Sequence, residues 1–346
     1  MRALSLTATG GPEHLAVLDL PAPRLQAPDE VRIGVRAIAL NRLDLWVANG
    51  LPAAPIKAFP HIVGADAAGV VLEVGPAVTS VQVGDRVVVN PGVSCGQCTA
   101  CLAGDEVFCR HFGLLGEHRP GTAAEEIVLP ARNVARLEGE WSWAEAAAFS
   151  LASLTAWRML TTRARVHAGE SVLIWGIGGG VAVAALQIAR FLGAHVAVTS
   201  GSDAKLARAA ALGAELALQH GGAADIPAAV KAHFGRGVDV VVDTVGAPTW
   251  PRSLKALRPG GRLVTCGATG GPEVTLDLRR LFWFQWSLLG STMGTSSEFA
   301  AVVAHGNAGR FRPPVDAIFP LADGAAAYQR LAAGDQFGKL VLEVSS

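Results

Sequence analysis

Apolar positions fall into two textures along this chain. Over the first 125 residues they form short Val-bearing runs, Val31–Val35, Val70–Val74 and Val87–Val89, separated by Gly, Pro and Asp. β-Branched runs bounded by turn formers predict a strand-rich domain with tight turns. From about residue 143 the texture changes. Short apolar strands are expected at Val172–Trp175, Val196–Thr199, Val238–Val242 and Arg262–Cys266. Helical patterns lie between them at Val181–Leu192, Ala204–Leu212 and Ile226–Phe234. Such alternation predicts right-handed βαβ units on a parallel sheet, and so an α/β class. Beyond about residue 295 the pattern turns mixed and ends in strand-like Lys339–Val344, so the C-terminal segment is expected to return to the first domain.

Composition agrees with this picture and narrows it. At 346 residues the chain is long enough for two domains with full cores. Hydrophobic residues make up 51% of it, which suits a globular protein rather than a disordered one. With 29 acidic and 29 basic residues and no basic stripe interleaved with aromatics, nucleic acid is not expected as a partner. The opening Met1-Arg-Ala-Leu-Ser-Leu-Thr7 lacks the apolar stretch of a signal peptide. The uncharged stretch Ser171–Ala189 has membrane-like hydropathy, but Gly176, Gly178, Gly179 and Gly180 interrupt it, and each glycine inside a helix costs about 1 kcal/mol. Strand, tight turn and helix is the better reading, with no membrane partner and a cytoplasmic location.

That turn is the first candidate site. An apolar strand, Val172-Leu-Ile-Trp175, runs into Gly176-Ile-Gly178-Gly179-Gly180 and then into a helix from about Val181. Glycines permit the tight turn and let backbone N–H groups approach a pyrophosphate, to which the helix N-terminus adds its positive end. A glycine string alone is weak evidence, but here a strand precedes it, a helix follows it and further βα units come after. NAD-specific sites place an acid about twenty residues on, for the ribose 2′-hydroxyl. Here the second strand ends Thr199-Ser200-Gly-Ser202-Asp-Ala-Lys205. Ser200, Ser202 and Lys205 would suit a 2′-phosphate, which favours NADP(H) over NAD(H). The alternatives are that Lys205 and Arg208 form only a solvated helix face and that Asp203 serves a ribose.

Four of the five cysteines lie together in residues 95–109, at Cys95, Cys98, Cys101 and Cys109. Clustered thiols in a reducing compartment point to metal rather than disulfides. The x2, x2, x7 spacing wraps one tetrahedral zinc, and four thiolates leave no open position for chemistry. The ferredoxin form of an iron–sulfur site has three residues and a following proline at its last cysteine, whereas seven precede Cys109 and Arg110 follows it. One structural zinc per chain is therefore expected. Cys266 lies apart in an apolar strand and reads as a small core residue.

The chain resembles the medium-chain dehydrogenase/reductase superfamily over essentially its whole length. The residues that carry the likeness are Met1-Arg-Ala, Gly64-Ala-Asp-Ala-Ala-Gly69-Val-Val, Val83-Gly-Asp85-Arg-Val87, the four-cysteine lobe and Gly176–Ala182. The resemblance implies a GroES-like β-rich catalytic domain, residues 1–150 and 294–346, split around a Rossmann domain with a doubly wound parallel sheet, residues 151–293. It adds Val181 and Gly267 to the cofactor-binding set. Zinc alcohol dehydrogenases of this superfamily hold a catalytic metal with a Cys, a His in a Gly-His-Glu motif and a later Cys. In this chain the three places read Asn41, Ala65 and Leu151. Those side chains cannot supply the usual three ligands. Asn41 with Asp44 instead looks like the Asn-x-x-Asp of the zinc-free quinone reductases. His61, Asp44 and Asp66 remain as an improvised metal site.

The resemblance then implies an NAD(P)H-dependent oxidoreductase. Without a catalytic zinc, a conjugated acceptor such as a quinone or enone suits hydride transfer from NADPH, because charge spreads onto oxygen through the π system. Asn41, Asp44 and Thr155 are the expected catalytic residues. Asn41 would donate an amide hydrogen bond, and Thr155 would steady the nicotinamide or ribose. Trp46 either lines the pocket or sits in a core. The alternatives are an alcohol or aldehyde dehydrogenase with the improvised metal, and a non-catalytic NADPH-binding protein. The aromatic run Leu281–Gly290 corresponds to a region that relatives pair across a two-fold axis, so a homodimer or homotetramer is expected.

Overall fold

A computed structural model describes every residue except 53, 222, 223, 345 and 346. The chain divides into two compact units, Met1–Leu154 with Met293–Ser346, and Thr155–Thr292. In the first half of unit 1 the strands are β1 (Arg2–Leu6), β2 (Leu15–Asp19), β3 (Glu30–Ala39), β4 (His61–Ile62), β5 (Ala68–Val74), β6 (Arg86–Val89), β7 (Gly92–Val93), β8 (Gly113–Leu114), β9 (Glu126–Pro130) and β10 (Val134–Arg136). Two helices accompany them, α1 (Arg42–Asn49) and the short α2 (Thr99–Leu102). Alternation along Glu-Val-Arg-Ile-Gly-Val in β3 buries Val31, Ile33 and Val35 on one face and turns Arg32 to the other. Period-two patterning of this kind seats a half-buried antiparallel strand.

Helix α3 (Trp143–Trp157) leads into unit 2. Its strands are β11 (Ser171–Ile174), β12 (His195–Ser200), β13 (Leu216–Gln219), β14 (Val238–Val242), β15 (Leu257–Thr265) and β16 (Ser287–Gly290). Between them run α4 (Gly180–Phe191), α5 (Asp203–Ala211), α6 (Ile226–Phe234), α7 (Trp250–Ala256) and α8 (Leu278–Phe284). All six strands are parallel, in the order β13-β12-β11-β14-β15-β16. The chain starts at β11, steps outward through β12 and β13, and returns to the other side of β11 at β14. That reversal is the switch point where doubly wound sheets bind ligands at the strands' carboxyl ends. Val238-Asp-Val-Val-Val242 is buried throughout, as both-faced burial in a parallel sheet requires. Its one polar residue, Asp239, accepts from the Ser171 backbone N–H and hydroxyl at 2.8 Å each. Strand β15 starts five residues before the expected Arg262. Pro259-Gly-Gly261, which reads as a turn, lies inside the strand where its register with β14 shifts.

The C-terminal segment, α9 (Ser296–Asn307), β17 (Val315–Pro320), α10 (Gly324–Ala333) and β18 (Lys339–Glu343), belongs to unit 1. Strand β18 pairs antiparallel with β3, and β17 pairs with β18, which extends the sheet β10-β6-β5-β3-β18-β17. A three-stranded sheet, β2-β1-β4, and a two-stranded sheet, β7-β8, lie in the same unit. Its core gathers Leu4, Ile33, Ile38, Val71, Tyr328 and Leu340. A separate core in unit 2 gathers Leu173, Trp175, Val241, Leu254 and Leu263.

Candidate functional site

Three groups of residues carry chemistry, and each forms within one unit. In unit 2 the glycine turn joins β11 to α4. Gly176 at φ 67° and Gly178 at φ 140° hold backbone conformations that side chains disfavour. Gly179 caps α4 and Gly180 with Val181 opens it, so their N–H groups belong to the turn without intrahelical acceptors. Val245, just past β14, lies close enough that a Cβ on Gly176 would meet it at 3.5 Å, which brings both sides of the switch point together. At the end of β12, Ser200 Oγ accepts from Ser202 N at 3.1 Å and Ser202 Oγ accepts from Lys205 N at 3.4 Å, capping α5. Each hydroxyl therefore spends an acceptor lone pair and keeps its proton to donate to a ligand. Gly267 follows β15, tied through its N–H and C=O to Thr265 Oγ1. Beside it, burial pushes the Cys266 thiol up to about 12. Thr155 is buried in the last turn of α3.

The second group is a buried polar cluster in unit 1. Asn41, at the start of α1, is tied on every side. Its Oδ1 accepts from Lys339 Nζ at 2.5 Å, and its Nδ2 donates to Asp66 Oδ2 at 2.9 Å and to Ala39 O at 3.3 Å. Asp66 Oδ2 also accepts from Lys339 Nζ at 3.0 Å, and Oδ1 accepts from the Leu151 backbone N–H at 2.7 Å. Asp44 Oδ2 reaches back to Asn41 N at 2.6 Å. Asp66 is fully buried and Lys339 is 2% exposed. Burial pushes the Asp44 carboxyl up to about 7, against the Asn41 N–H bond and the Lys339 charge. Tyr328, the chain's one tyrosine, is also fully buried. Burial and then the Asp44 charge hold its hydroxyl well above the ordinary range.

This geometry brings together the three places where the resemblance looks for metal ligands, but with different chemistry. Asn41 gives its oxygen to an ammonium, and Leu151 contributes a backbone N–H. Lys339 is the residue that sequence reasoning missed. Its only local signal is a lysine opening the apolar run Leu340–Leu342 of β18. Both Asn41 amide hydrogens are engaged inside the protein, so the expected donation to a substrate oxygen is not what this arrangement offers. His61, Asp44 and Asp66 do not converge on one point. His61 Nε2 lies 3.0 Å from Gly116 O, and among the described residues the cysteines alone form a metal-ligating set. Trp46 is half-buried in α1.

The third group is the cysteine lobe. Cys98 caps α2, which carries Cys101, and Cys109 closes a short 3₁₀ turn over Glu106–Phe108. The sulfurs of Cys98 and Cys101 lie 3.5 Å apart, Cys95 and Cys109 3.5 Å, and Cys95 and Cys101 3.9 Å. A tetrahedron with zinc–sulfur bonds of about 2.3 Å has edges of roughly 3.8 Å, so the lobe is shaped for that ion. The Gln97 backbone N–H, opposed by burial and aided by Cys109, holds Cys95 down at about 6. The His111 N–H points at Cys109 Sγ from 3.3 Å. Donors of this kind favour thiolate, the form that binds metal.

Comparison with known proteins agrees with these features. Residues 27–139 match the alcohol dehydrogenase GroES-like domain, and residues 180–307 match the zinc-binding dehydrogenase family. A zinc-type alcohol dehydrogenase-like protein of Schizosaccharomyces pombe is 31% identical, over 96% of each chain. A quinone oxidoreductase of Lama guanicoe is 29% identical over 99% of this chain and 97% of its own. A solved structure described as an NAD-dependent alcohol dehydrogenase superposes with a TM-score of 0.95 at 44% identity, over 100% of both chains. No helix among the described residues is long and apolar enough to cross a membrane. With its glycine turn at the switch point, its split β-rich unit and its cysteine lobe, the chain belongs to the medium-chain dehydrogenase/reductase superfamily and is an NAD(P)-dependent oxidoreductase of the zinc-type alcohol dehydrogenase and quinone oxidoreductase group.

Proposed function

We propose that this chain transfers hydride from NADPH to a quinone or α,β-unsaturated carbonyl, with no catalytic metal at the Asn41 cluster and one structural zinc in the cysteine lobe. The lock between Lys339, Asn41 and Asp66 carries the reading. A divalent cation brought to Asn41 would meet the Lys339 ammonium at short range, and like charges in a poorly solvated site repel strongly. Ala65 and Leu151 offer hydrocarbon in place of ligands. A metal supplies a carbonyl reduction with several kcal/mol of charge stabilisation. A conjugated acceptor needs less, because hydride adds to the far carbon and the charge delocalises onto oxygen. Orientation and a dry site then suffice, and solvent supplies the proton. In this reading Asn41 and Asp44 shape the site, and Thr155 steadies the nicotinamide.

NADPH is favoured over NADH because β12 ends at Ser200, where an acid would repel a phosphate. The Ser200 and Ser202 hydroxyls donate to it, and Lys205 adds charge from the first turn of α5. Reduced thiols and the zinc lobe suit a cytoplasmic protein. A homodimer or homotetramer is proposed from unit 2, where α8 exposes Leu278, Phe282 and Trp283 beside the edge strand β16. The second reading is an alcohol dehydrogenase, favoured by the likeness to the 44% identical structure so described. A substrate panel separates the two. Turnover of NADPH with quinones and enones, exceeding that of aliphatic alcohols with NAD or NADP, supports the proposal. The reverse ranking replaces it with the second reading.

A further inference from the structure

At the carboxyl end of β12, His220 lies against Thr199 and Ser200, and it shares the Trp175 ring with Arg252. His220, just past β13, sends its backbone N–H to Ser200 O at 2.9 Å. Its Nδ1 lies 3.1 Å from Thr199 Oγ1, and its Nε2 edge faces Gly201, where an added Cβ would meet it at 3.5 Å. Thr199 Oγ1 also accepts from the Gly176 N–H at 3.2 Å, so a three-residue chain ties the dinucleotide turn to the imidazole. Thr199 Oγ1 keeps its proton and a second lone pair, so it can partner Nδ1 of either the neutral or the charged imidazole, and Nε2 is the ring nitrogen on the Gly201 side. Arg252 of α7 sits with its guanidinium carbon 4.8 Å from the Trp175 ring centroid, and His220 packs on the same ring at 6.4 Å. Trp175 is itself 1% exposed, and its indole Nε1 has no hydrogen-bond partner among the described residues.

We propose that His220 and Arg252 complete an anion pocket with Ser200, Ser202 and Lys205, and that His220 makes recognition of the cofactor's 2′-phosphate dependent on pH. This rests on the NADPH reading above and deepens it. His220 lies against Thr199 and Ser200 of β12 and against Trp175 beside β11, and Arg252 of α7 lies over the same Trp175 ring; α5 carries Asp203 and Lys205 in its first turn. Among the described residues, Arg252 is the charged group whose field acts on the imidazole. In the free protein, burial and then the Arg252 charge hold the imidazole below its ordinary range, so it is neutral near pH 7. A phosphate dianion placed there reverses the balance, because it stabilises the imidazolium more than Arg252 opposes it. Binding of the 2′-phosphate then takes up a proton, and its affinity falls as pH rises. The second ionisation of the phosphate, near pH 6, acts in the opposite direction, so the sign of the dependence identifies the imidazole.

The test is calorimetric binding of adenosine 2′,5′-bisphosphate and of 5′-ADP to the whole protein, at fixed ionic strength, at pH 6.5 and pH 8.5, in buffers of different ionisation enthalpy. The bisphosphate should bind roughly tenfold more tightly at the lower pH, as expected of one charge-assisted hydrogen bond, and with proton uptake. Binding of 5′-ADP should change little. His220→Gln should remove both the pH dependence and the proton uptake. His220→Phe keeps a ring against Trp175 and should do the same if the fold is intact. Arg252→Met should weaken the bisphosphate about tenfold and leave 5′-ADP nearly unchanged. If the wild type binds the bisphosphate no better than 5′-ADP, the NADPH reading falls and this inference falls with it. If it binds the bisphosphate better but without pH dependence, or if both His220 variants keep that dependence, the NADPH reading stands and the assignment to His220 is overturned.

Discussion

Lys339 and Asp66 form a fully buried ion pair, and its value lies in what happens when it is broken. Removing one partner leaves an uncompensated charge in the core, which costs roughly 3–5 kcal/mol. Lys339→Met should lower stability by about that amount in denaturant unfolding. The double variant Lys339→Met/Asp66→Asn should recover much of the loss, since the residues couple directly. Asp44 gives a pH signature. Its folded value, raised to about 7, exceeds the unfolded value of about 4, so the folded state holds a proton that the unfolded chain has lost. Stability from this group therefore declines as pH rises between those limits, and Asp44→Asn should flatten that part of the curve. None of this was legible along the chain. Asn41 and Asp44 lie three residues apart and stood out as a motif, but the lysine that fixes Asn41 lies 298 residues further on and meets it only when β18 pairs with β3. The local sequence around Asn41 carries no sign that both of its amide hydrogens are engaged by Ala39 and Asp66.

Elements whose signals are local were easier to read. The helix Ile226–Phe234 and the strand Val238–Val242 fall where their apolar patterns place them, because each is bounded by its own cap or turn. Four cysteines lie within fifteen residues, so short chain connections alone keep them near one another and the lobe is legible in their spacing. Chelation should release one zinc per chain and lower the melting temperature, because a structural metal contributes folding energy. Metal analysis alongside thermal unfolding checks both effects. At the end of β12, Ser200→Asp should shift preference toward NADH, and Lys205→Ala should weaken NADPH alone. Hydroxyl and ammonium contacts worth about 1–3 kcal/mol together give a tenfold to hundredfold preference in dissociation constants measured at fixed salt. Equal weakening of both cofactors by Lys205→Ala would return the ribose to Asp203. The early start of β15 was not legible because Pro259-Gly-Gly261, inside the strand where its register with β14 shifts, has the composition of a turn.

For the whole molecule, the sequence changes texture near residues 143 and 295, and the compact units divide at Leu154 and Met293. The proposed self-association rests on the resemblance, since an aromatic run by itself reads equally as core or surface. The exposure of Phe282 and Trp283, at 68% and 75%, favours surface. Trp283→Glu should shift an assembled species toward monomer in light scattering, whereas a wild type that is already monomeric at micromolar concentration removes the assembly proposal. The function of the molecule turns on whether hydride transfer needs a second metal. The direct measurement is the rate of NADPH-dependent enone reduction as a function of zinc bound per chain. The account predicts full activity at one zinc per chain and no gain when zinc is added. A rate that rises in proportion to a second bound zinc would contradict it.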